Sequence, residues 1–265
     1  MSGSTEQKLL VVDVGNTQTH LGVLGKSDQS VSRHWRFATV RTQTADELGV
    51  TLAALLALEE LKLRDIAGSI VSSTVPQLGR QWLLMAKRYL GDEMLSVGPA
   101  LKTGMPIRID NPYELGADRL VNAVAAYERV RSGCVVVDFG TAINYDVVSD
   151  AGEYIGGVIT PGVEISLDAL CERAAKLTRV ELAEPRATIG RSTVEAIRSG
   201  VVFGFAGQVE GILRRLHAEL GQRPRVIATG GFSPVIYPFI KDTIDEIDEL
   251  LTLDGLRLVW QRNVL

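Results

Sequence analysis

One short pattern occurs twice in this chain of 265 residues, and it limits the possible folds more than any other feature. Residues 10–17 are LVVDVGNT, and residues 135–142 are VVVDFGTA. Each copy has an apolar run typical of a buried strand, followed by Asp, an apolar residue and Gly, and a second strand-like run comes after it. The copies begin about half a chain length apart, which favours two similar halves.

The two Asp-x-Gly turns also suggest a chemistry. Glycine allows a tight turn and lets a phosphate approach the backbone N–H groups, while the carboxylates of Asp13 and Asp138 can hold a cation that screens phosphate charge. Further hydrogen-bond donors are present at Asn16, Thr17 and Thr141. Each turn taken alone is more typical of an ordinary hairpin corner, and only the pair together favours a phosphate site. The chain has no Gly-rich P-loop with its Lys.

A third motif precedes a predicted helix over residues 117–130. Asp118 falls in the first turn, where the helix dipole favours a carboxylate. The residue is therefore either a stabilising cap or a general base, and in the second interpretation Arg119 binds an anion beside it.

Hydrophobic periodicity predicts an α/β chain, with strands and helices distributed over both halves. The predicted strands are 9–12, 21–24, 31–37, 69–75, 94–97, 134–137, 145–148, 154–159, 225–228 and 256–260. The predicted helices begin at the capping boxes 44–47 and 192–195, at Pro76 and at Gly162, and the last two extend to residues 90 and 176.

Four glycines lie on one face of the long helix that residues 192–195 open. They are Gly200, Gly204, Gly207 and Gly211. Each costs a helix interior about 1 kcal/mol relative to Ala, so the stripe indicates that another backbone packs closely against it. That backbone belongs either to another part of this chain or to a second copy of it.

Composition excludes several classes of protein. The chain is 46% hydrophobic and 23% charged, which is typical of a globular protein, and its formal net charge is −4. Because Lys and Arg do not cluster, we predict no nucleic-acid binding, and because no run reaches about 20 apolar residues, we predict no membrane span. The polar start has no signal-peptide pattern, so we expect a cytoplasmic protein.

Six motifs, in this order along the chain, resemble those of the type III pantothenate kinases, a family of the acetate and sugar kinase and actin-like ATPase superfamily. The motifs are DVGNT at 13–17, GADR at 116–119, DFGT at 138–141, GGVITPG at 156–162, GRST at 190–193 and TGG at 229–231. The resemblance extends over about residues 8–260.

This resemblance implies a fold and a reaction. The fold would be α/β, with two ribonuclease H-like domains (residues 1–117 and 118–265) and a cleft between them that binds ATP. The reaction would be transfer of the γ-phosphate to pantothenate, the first step towards coenzyme A. The resemblance also implies Mg²⁺, a monovalent cation (K⁺ or NH₄⁺), and a homodimer that completes the substrate pocket.

The resemblance further implies roles for individual residues. Asp118 would be the proton acceptor, and Asp138 would hold the monovalent cation. ATP would contact Asp13, Val14, Gly15, Asn16, Thr17, Gln18, Thr19, His20 and Thr141. Pantothenate would contact Ile109, Gly116, Ala117, Asp118, Arg119 and Thr193.

Two alternatives remain open. The first is a kinase of another small hydroxyl compound, because Ile109 stands where the family usually has an aromatic residue. The second is a catalytically weak, nucleotide-binding regulatory protein, because Ile143 and Asn144 replace two threonines of the family motif.

Overall fold

The computed structural model describes residues 7–26, 28, 30–98, 100–174 and 180–264. They form two compact units. The first contains residues up to 105, residues 110–125 and residues from 250 onward; the second contains residues 106–109 and 126–249. The domain boundary after residue 117 stays a prediction.

The first unit contains a mixed five-stranded sheet. Its order is β3-β2-β1-β4-β5, in which β1, β2 and β3 are antiparallel neighbours and β4 and β5 run parallel to β1. The strands are β1 (Lys8–Val14), β2 (Gln18–Gly25), β3 (Arg33–Ala38), β4 (Ile66–Ser73) and β5 (Leu95–Ser96). The three opening antiparallel strands confirm the hairpin spacing of the sequence.

Helices cover this sheet and complete its core. The helices of the first unit are α1 (Ala45–Ala57), α2 (Pro76–Met85), the first part of α3 (Ala117–Val130) and, near the carboxyl end, α7 (Leu251–Val264). The predicted capping box is confirmed: Thr44 and Glu47 bond each other's backbone N–H groups at the start of α1. Leu48, Leu52 and Trp82 are fully buried in the core under the sheet.

The second unit repeats the architecture of the first. Its sheet order is β10-β9-β6-β7-β8, and each pair of neighbours has the same relative direction as in the first sheet. The strands are β6 (Cys134–Phe139), β7 (Ala142–Val148), β8 (Tyr154–Pro161), β9 (Arg225–Thr229) and β10 (Glu246–Ile247); the helices are α4 (Val163–Arg173), α5 (Thr193–Leu220) and α6 (Ser233–Ile236). Both copies of the repeated pattern therefore start a ribonuclease H-like sheet at equivalent strands.

Two helices end before their predicted bounds. Helix α2 ends at Met85, and one π-helical turn (Ala86–Leu90) continues it to the predicted end. Helix α4 ends at Arg173, and the predicted extension to residue 176 falls partly on residues 175–179, which lie outside the described part of the chain.

The prediction of a last edge strand at residues 256–260 is wrong, because these residues lie in the middle of α7. Leu256, Val259 and Trp260 are buried at a spacing of three and four, which is helical. The side chain of Trp260 packs against Gly68 of β4, where a Cβ would lie 2.7 Å from the ring. A short apolar run does not distinguish a strand from a buried helical turn, which explains the error.

Three of the four glycines of the α5 stripe have no close neighbour in the part of the chain that the structure describes. Among the described residues, no atom would come within 4 Å of a Cβ at Gly200, Gly204 or Gly207. The buried side chains Val202 and Val209 lie on the opposite side of the helix. Of the two interpretations of the stripe, internal packing is therefore wrong for the described chain.

In the part of the chain that the structure describes, no helix is both long and apolar enough to cross a membrane.

Candidate functional site

The first predicted phosphate loop is the connection between β1 and β2. The N–H of Gly15 donates to the carbonyl of Gln18 at 3.0 Å, which closes the turn. Asn16, Thr17 and Gln18 at its tip are exposed. The tip therefore presents polar groups that can reach a ligand.

Behind the tip, Asp13 lies at the end of β1 and is held by the neighbouring strand. The hydroxyl of Ser72, on β4, donates to Asp13 Oδ1 at 3.1 Å. Val14 is fully buried, and its carbonyl accepts from the N–H of Thr74 at 2.9 Å. The bond from Ser72 orients the carboxylate, and the bond from Thr74 holds the backbone beside it at the end of β1.

Thr19 and His20, the last two residues of the loop motif, are buried. The hydroxyls of Thr19 and Thr39 lie 2.9 Å apart, and Nε2 of His20 lies 3.3 Å from Nδ1 of His34. Burial, and then the positive charge of Arg36, lower the pKa of His20 to about 3. His20 is therefore neutral at neutral pH, and its contact with His34 helps to hold the buried base of the loop in place.

The strand registers align one row of residues across each sheet. In the first unit the row is Ser72, Asp13, His20 and Arg36, and in the second unit it is Thr229, Asp138, Asn144 and Ile159. Neighbours in such a row lie on the same face of a sheet. The two aspartates thus occupy equivalent positions, each flanked by a hydroxyl-bearing residue on its parallel neighbour.

Asp118 lies one residue inside the start of α3, as predicted. The helix begins with the N–H of Leu120 donating to the carbonyl of Gly116 at 3.1 Å. The N–H of Arg119 donates to Asp118 Oδ1 at 2.9 Å. Burial of the carboxyl group raises the pKa of Asp118 above its usual range, and the hydrogen bond and charge of Arg119 oppose that shift only in part. A carboxylate with a raised pKa is a stronger base than one with the usual pKa, which suits a proton acceptor.

Two glycines of the second unit pack closely around the Asp138–Thr141 turn, Gly230 against Asp138 and Gly162 against Thr141. A Cβ at Gly230 would lie 2.6 Å from Asp138 Oδ1, and one at Gly162 would lie 2.2 Å from the carbonyl of Thr141. The N–H of Gly162 donates to that same carbonyl at 3.0 Å. The structure thus brings together Asp138, Thr141, the start of α4 and the end of β9.

The two remaining predicted substrate contacts lie elsewhere in the second unit. Ile109 belongs to a segment, residues 106–109, that runs alongside β8, with the N–H of Arg108 donating to the carbonyl of Tyr154 at 2.8 Å. Thr193 begins α5 and lines an apolar groove of about 620 Å³ between α4 and α5. Ile109 lies beside Gly156, whereas Thr193 lies beside the glycine stripe.

Sequence reasoning did not identify Ser72 as part of the site. It belongs to a Ser-Ser-Thr run at the end of β4. Such a hydroxyl-rich strand end is a usable signal only once β4 is known to pair with β1.

Ile143, which differs from the family motif, is fully buried in the core of the second unit. Its side chain is therefore part of that core.

The duplicated sheet, with a carboxylate and a Gly turn at equivalent places in both copies, defines the class: the chain has the fold of the actin-like ATPases and sugar kinases. The same fold is found in an ethanolamine utilization protein, EutJ, from Carboxydothermus hydrogenoformans, which is 15% identical, with a TM-score of 0.57 over 95% of this chain and 89% of that one. It is also found in a candidate 2-dehydro-3-deoxygalactonokinase from Sinorhizobium meliloti, which is 13% identical, with a TM-score of 0.59 over 94% of each chain.

Sequence comparison gives the particular family. The profile of the type III pantothenate kinase family matches residues 9–215. A type III pantothenate kinase of Moorella thermoacetica is 48% identical over 96% of this chain and 99% of its own length, and one of Anaeromyxobacter sp. (strain K) is 49% identical over the same shares. The chain belongs to the type III pantothenate kinase family.

Proposed function

We propose that this protein phosphorylates pantothenate with ATP, giving 4′-phosphopantothenate and ADP, the first step of coenzyme A biosynthesis. The observation that carries the proposal is Asp118, a half-buried carboxylate with a raised pKa inside the GADR motif of the family. Family membership supports ATP and pantothenate as the two substrates.

In this mechanism, Asp118 accepts the proton of the primary hydroxyl of pantothenate. The oxygen forms a bond to the γ-phosphorus while the bond from that phosphorus to the β-γ bridging oxygen breaks, and ADP leaves with the electron pair. Little covalent chemistry is required of the protein, so positioning and electrostatic stabilisation supply most of the rate.

The loop from Asp13 to His20 would hold the phosphates of ATP. Its exposed tip offers the polar groups, while the contacts of Thr19 and His20 keep its base rigid. Mg²⁺ is usually held by one or two carboxylates together with phosphate oxygens and water, and it neutralises phosphate charge when bound. Asp13, oriented by Ser72, is the carboxylate that we assign to it.

Asp138 would hold the monovalent cation, K⁺ or NH₄⁺. Support comes from the packing around it, where a carboxylate lies beside the backbone of Phe139 and the close-packed Gly230. Thr141 is exposed next to it and would contact ATP. The carboxylate oxygens of Asp138 and the carbonyl oxygen of Phe139 are ligands that suit a hard cation.

The pantothenate contacts would be Ile109, Gly116, Ala117, Arg119 and Thr193, besides Asp118 itself. Arg119 offers a guanidinium, the group best suited to a carboxylate such as that of pantothenate. We place the enzyme in the cytoplasm.

We also propose that the active protein is a homodimer joined through α5. Support comes from the open glycine stripe and from the apolar groove of about 620 Å³ beside it. Thr193 lines that groove, so a partner there would lie next to a predicted substrate contact.

The test is an ADP-release assay with ATP, Mg²⁺ and pantothenate, in K⁺ and then in Na⁺, on the wild type and on Asp118→Asn. We expect pantothenate-dependent turnover that requires K⁺, and a fall in kcat of about 10²-fold or more in the variant. Asp242→Asn, at an exposed carboxylate of the second unit, is the control and should match the wild type.

The pH dependence checks the same residue. Because the raised pKa keeps Asp118 protonated to a higher pH than an ordinary Asp, kcat/KM of the wild type should fall on acidification at a pH above 3.8.

Acidification has the opposite effect on the stability of the fold, which it increases. The protonated carboxyl favours the folded state, and that contribution is lost as pH rises through the raised pKa, so Asp118→Asn should be at least as stable as the wild type at pH 7. Unchanged turnover in Asp118→Asn would remove this residue from the role of base.

A further inference from the structure

The segment that follows β3 is attached to the first phosphate loop. The N–H of Thr39 donates to the carbonyl of Thr17 at 2.9 Å, and the hydroxyls of Thr39 and Thr19 lie 2.9 Å apart. These two contacts hold Thr39 against the β1–β2 connection, although about twenty residues separate the two along the chain.

Arg41, at the end of this segment, extends to the tip of the loop. Its Nη2 donates to Asn16 Oδ1 at 3.1 Å, and both side chains are exposed. A guanidinium has five N–H donors in a planar fork, so a single bond to Asn16 leaves donors available beside the loop. Positive charge held in place at such a loop favours the binding of a phosphate group.

We propose that Arg41 is a nucleotide-binding residue that contacts a phosphate oxygen of ATP from outside the DVGNT motif. The proposal rests on the proposed function, since the loop from Asp13 to His20 is the part of the chain that we assign to ATP. Asn16 orients the guanidinium, and the attachment of Thr39 to the loop keeps it there. The sequence gives no signal for this role, because Arg41 is a single basic residue in a connection between a strand and a helix.

The experiment measures equilibrium binding of ATP and of adenosine, in the absence of pantothenate, to the wild type, Arg41→Gln, Arg41→Lys and Arg64→Gln. Arg64 is an exposed arginine of the same unit, so its substitution makes the same change of charge away from the loop. We expect Arg41→Gln to weaken ATP binding about 10-fold and leave adenosine binding unchanged, because one charge-assisted bond to phosphate is lost.

Arg41→Lys should fall between the wild type and Arg41→Gln, because an ammonium retains the charge and loses the fork. The affinity of Arg41→Gln for ATP should also depend less on KCl concentration than that of the wild type. Arg64→Gln should match the wild type for both ligands.

Unchanged ATP affinity in Arg41→Gln, or an equal loss for adenosine, overturns the proposal, and so does a wild type that does not bind ATP. A wild type that binds ATP in an Arg41-dependent way but does not phosphorylate pantothenate overturns the proposed function alone and leaves Arg41 as a phosphate contact.

Discussion

At the scale of single residues, Gly230 shows how strongly the backbone near Asp138 is constrained. Its φ is +90°, a region that L-residues with side chains rarely adopt, and a Cβ there would lie 2.6 Å from Asp138 Oδ1 and from the backbone N and O of Phe139. We expect Gly230→Ala to lower the free energy of unfolding by about 2 kcal/mol and to weaken the K⁺ dependence of turnover, because the carboxylate must move. Thermal unfolding and a K⁺ titration measure the two effects.

The adjacent glycine provides the matched control. A Cβ at Gly231 would meet no described atom within 4 Å, so Gly231→Ala should leave stability nearly unchanged. If both variants unfold at the temperature of the wild type, the close packing of Gly230 against Asp138 is not a property of the protein in solution.

The residues of the site differ in how far sequence could predict them. The loop at residues 13–17 and the position of Asp118 in the first turn of α3 followed from local signals, namely an apolar run, a Gly turn and a helix start. Ser72 and Arg41 did not, because each reaches the loop through strand pairing or chain folding that no local pattern encodes. The binding roles of all these residues stay predictions.

At the scale of elements, α7 is the clearest departure from the sequence interpretation. It lies against β1 and β4, far from them in sequence, and the ring of Trp260 packs on Gly68 with 3% of the residue exposed. We expect Trp260→Ala to destabilise the first unit by roughly 3–5 kcal/mol, because it leaves a large cavity over the sheet. Urea unfolding followed by circular dichroism measures the loss.

Val264, 54% exposed in the last turn of α7, is the control, and Val264→Ala should cost little. Similar small effects of both substitutions would show that α7 does not contribute to the core of the first unit.

A short apolar run such as residues 256–260 fits a strand and a helix equally well, so only its packing partners decide between them.

At the scale of the whole molecule, the repeated Asp-x-Gly pattern predicted more than any single element. Two similar halves follow from it, and the equal order and direction of the strands in the two sheets confirm that prediction. The extent of each half was harder to infer, because residues 106–109 join the second unit and residues from 250 onward join the first. Such exchanges depend on long-range packing of short segments and leave no pattern in local sequence.

The oligomer is the property of the whole molecule that the glycine stripe makes testable. Gly204 is exposed on α5 opposite the buried side chains, so Gly204→Leu leaves the core intact but places a bulky side chain where a close-packed partner helix would lie. We expect the variant to sediment as a monomer of about half the mass of the wild type and to lose most of its pantothenate-dependent turnover.

Glu219→Leu adds the same side chain to the same helix, away from the stripe, and should stay dimeric and active. A dimer that persists in Gly204→Leu places the interface on another surface. A wild type that sediments as an active monomer would contradict the proposed dimer. In that case Gly207→Ala would change only the helix propensity of α5. It should then stabilise the helix by about 1 kcal/mol.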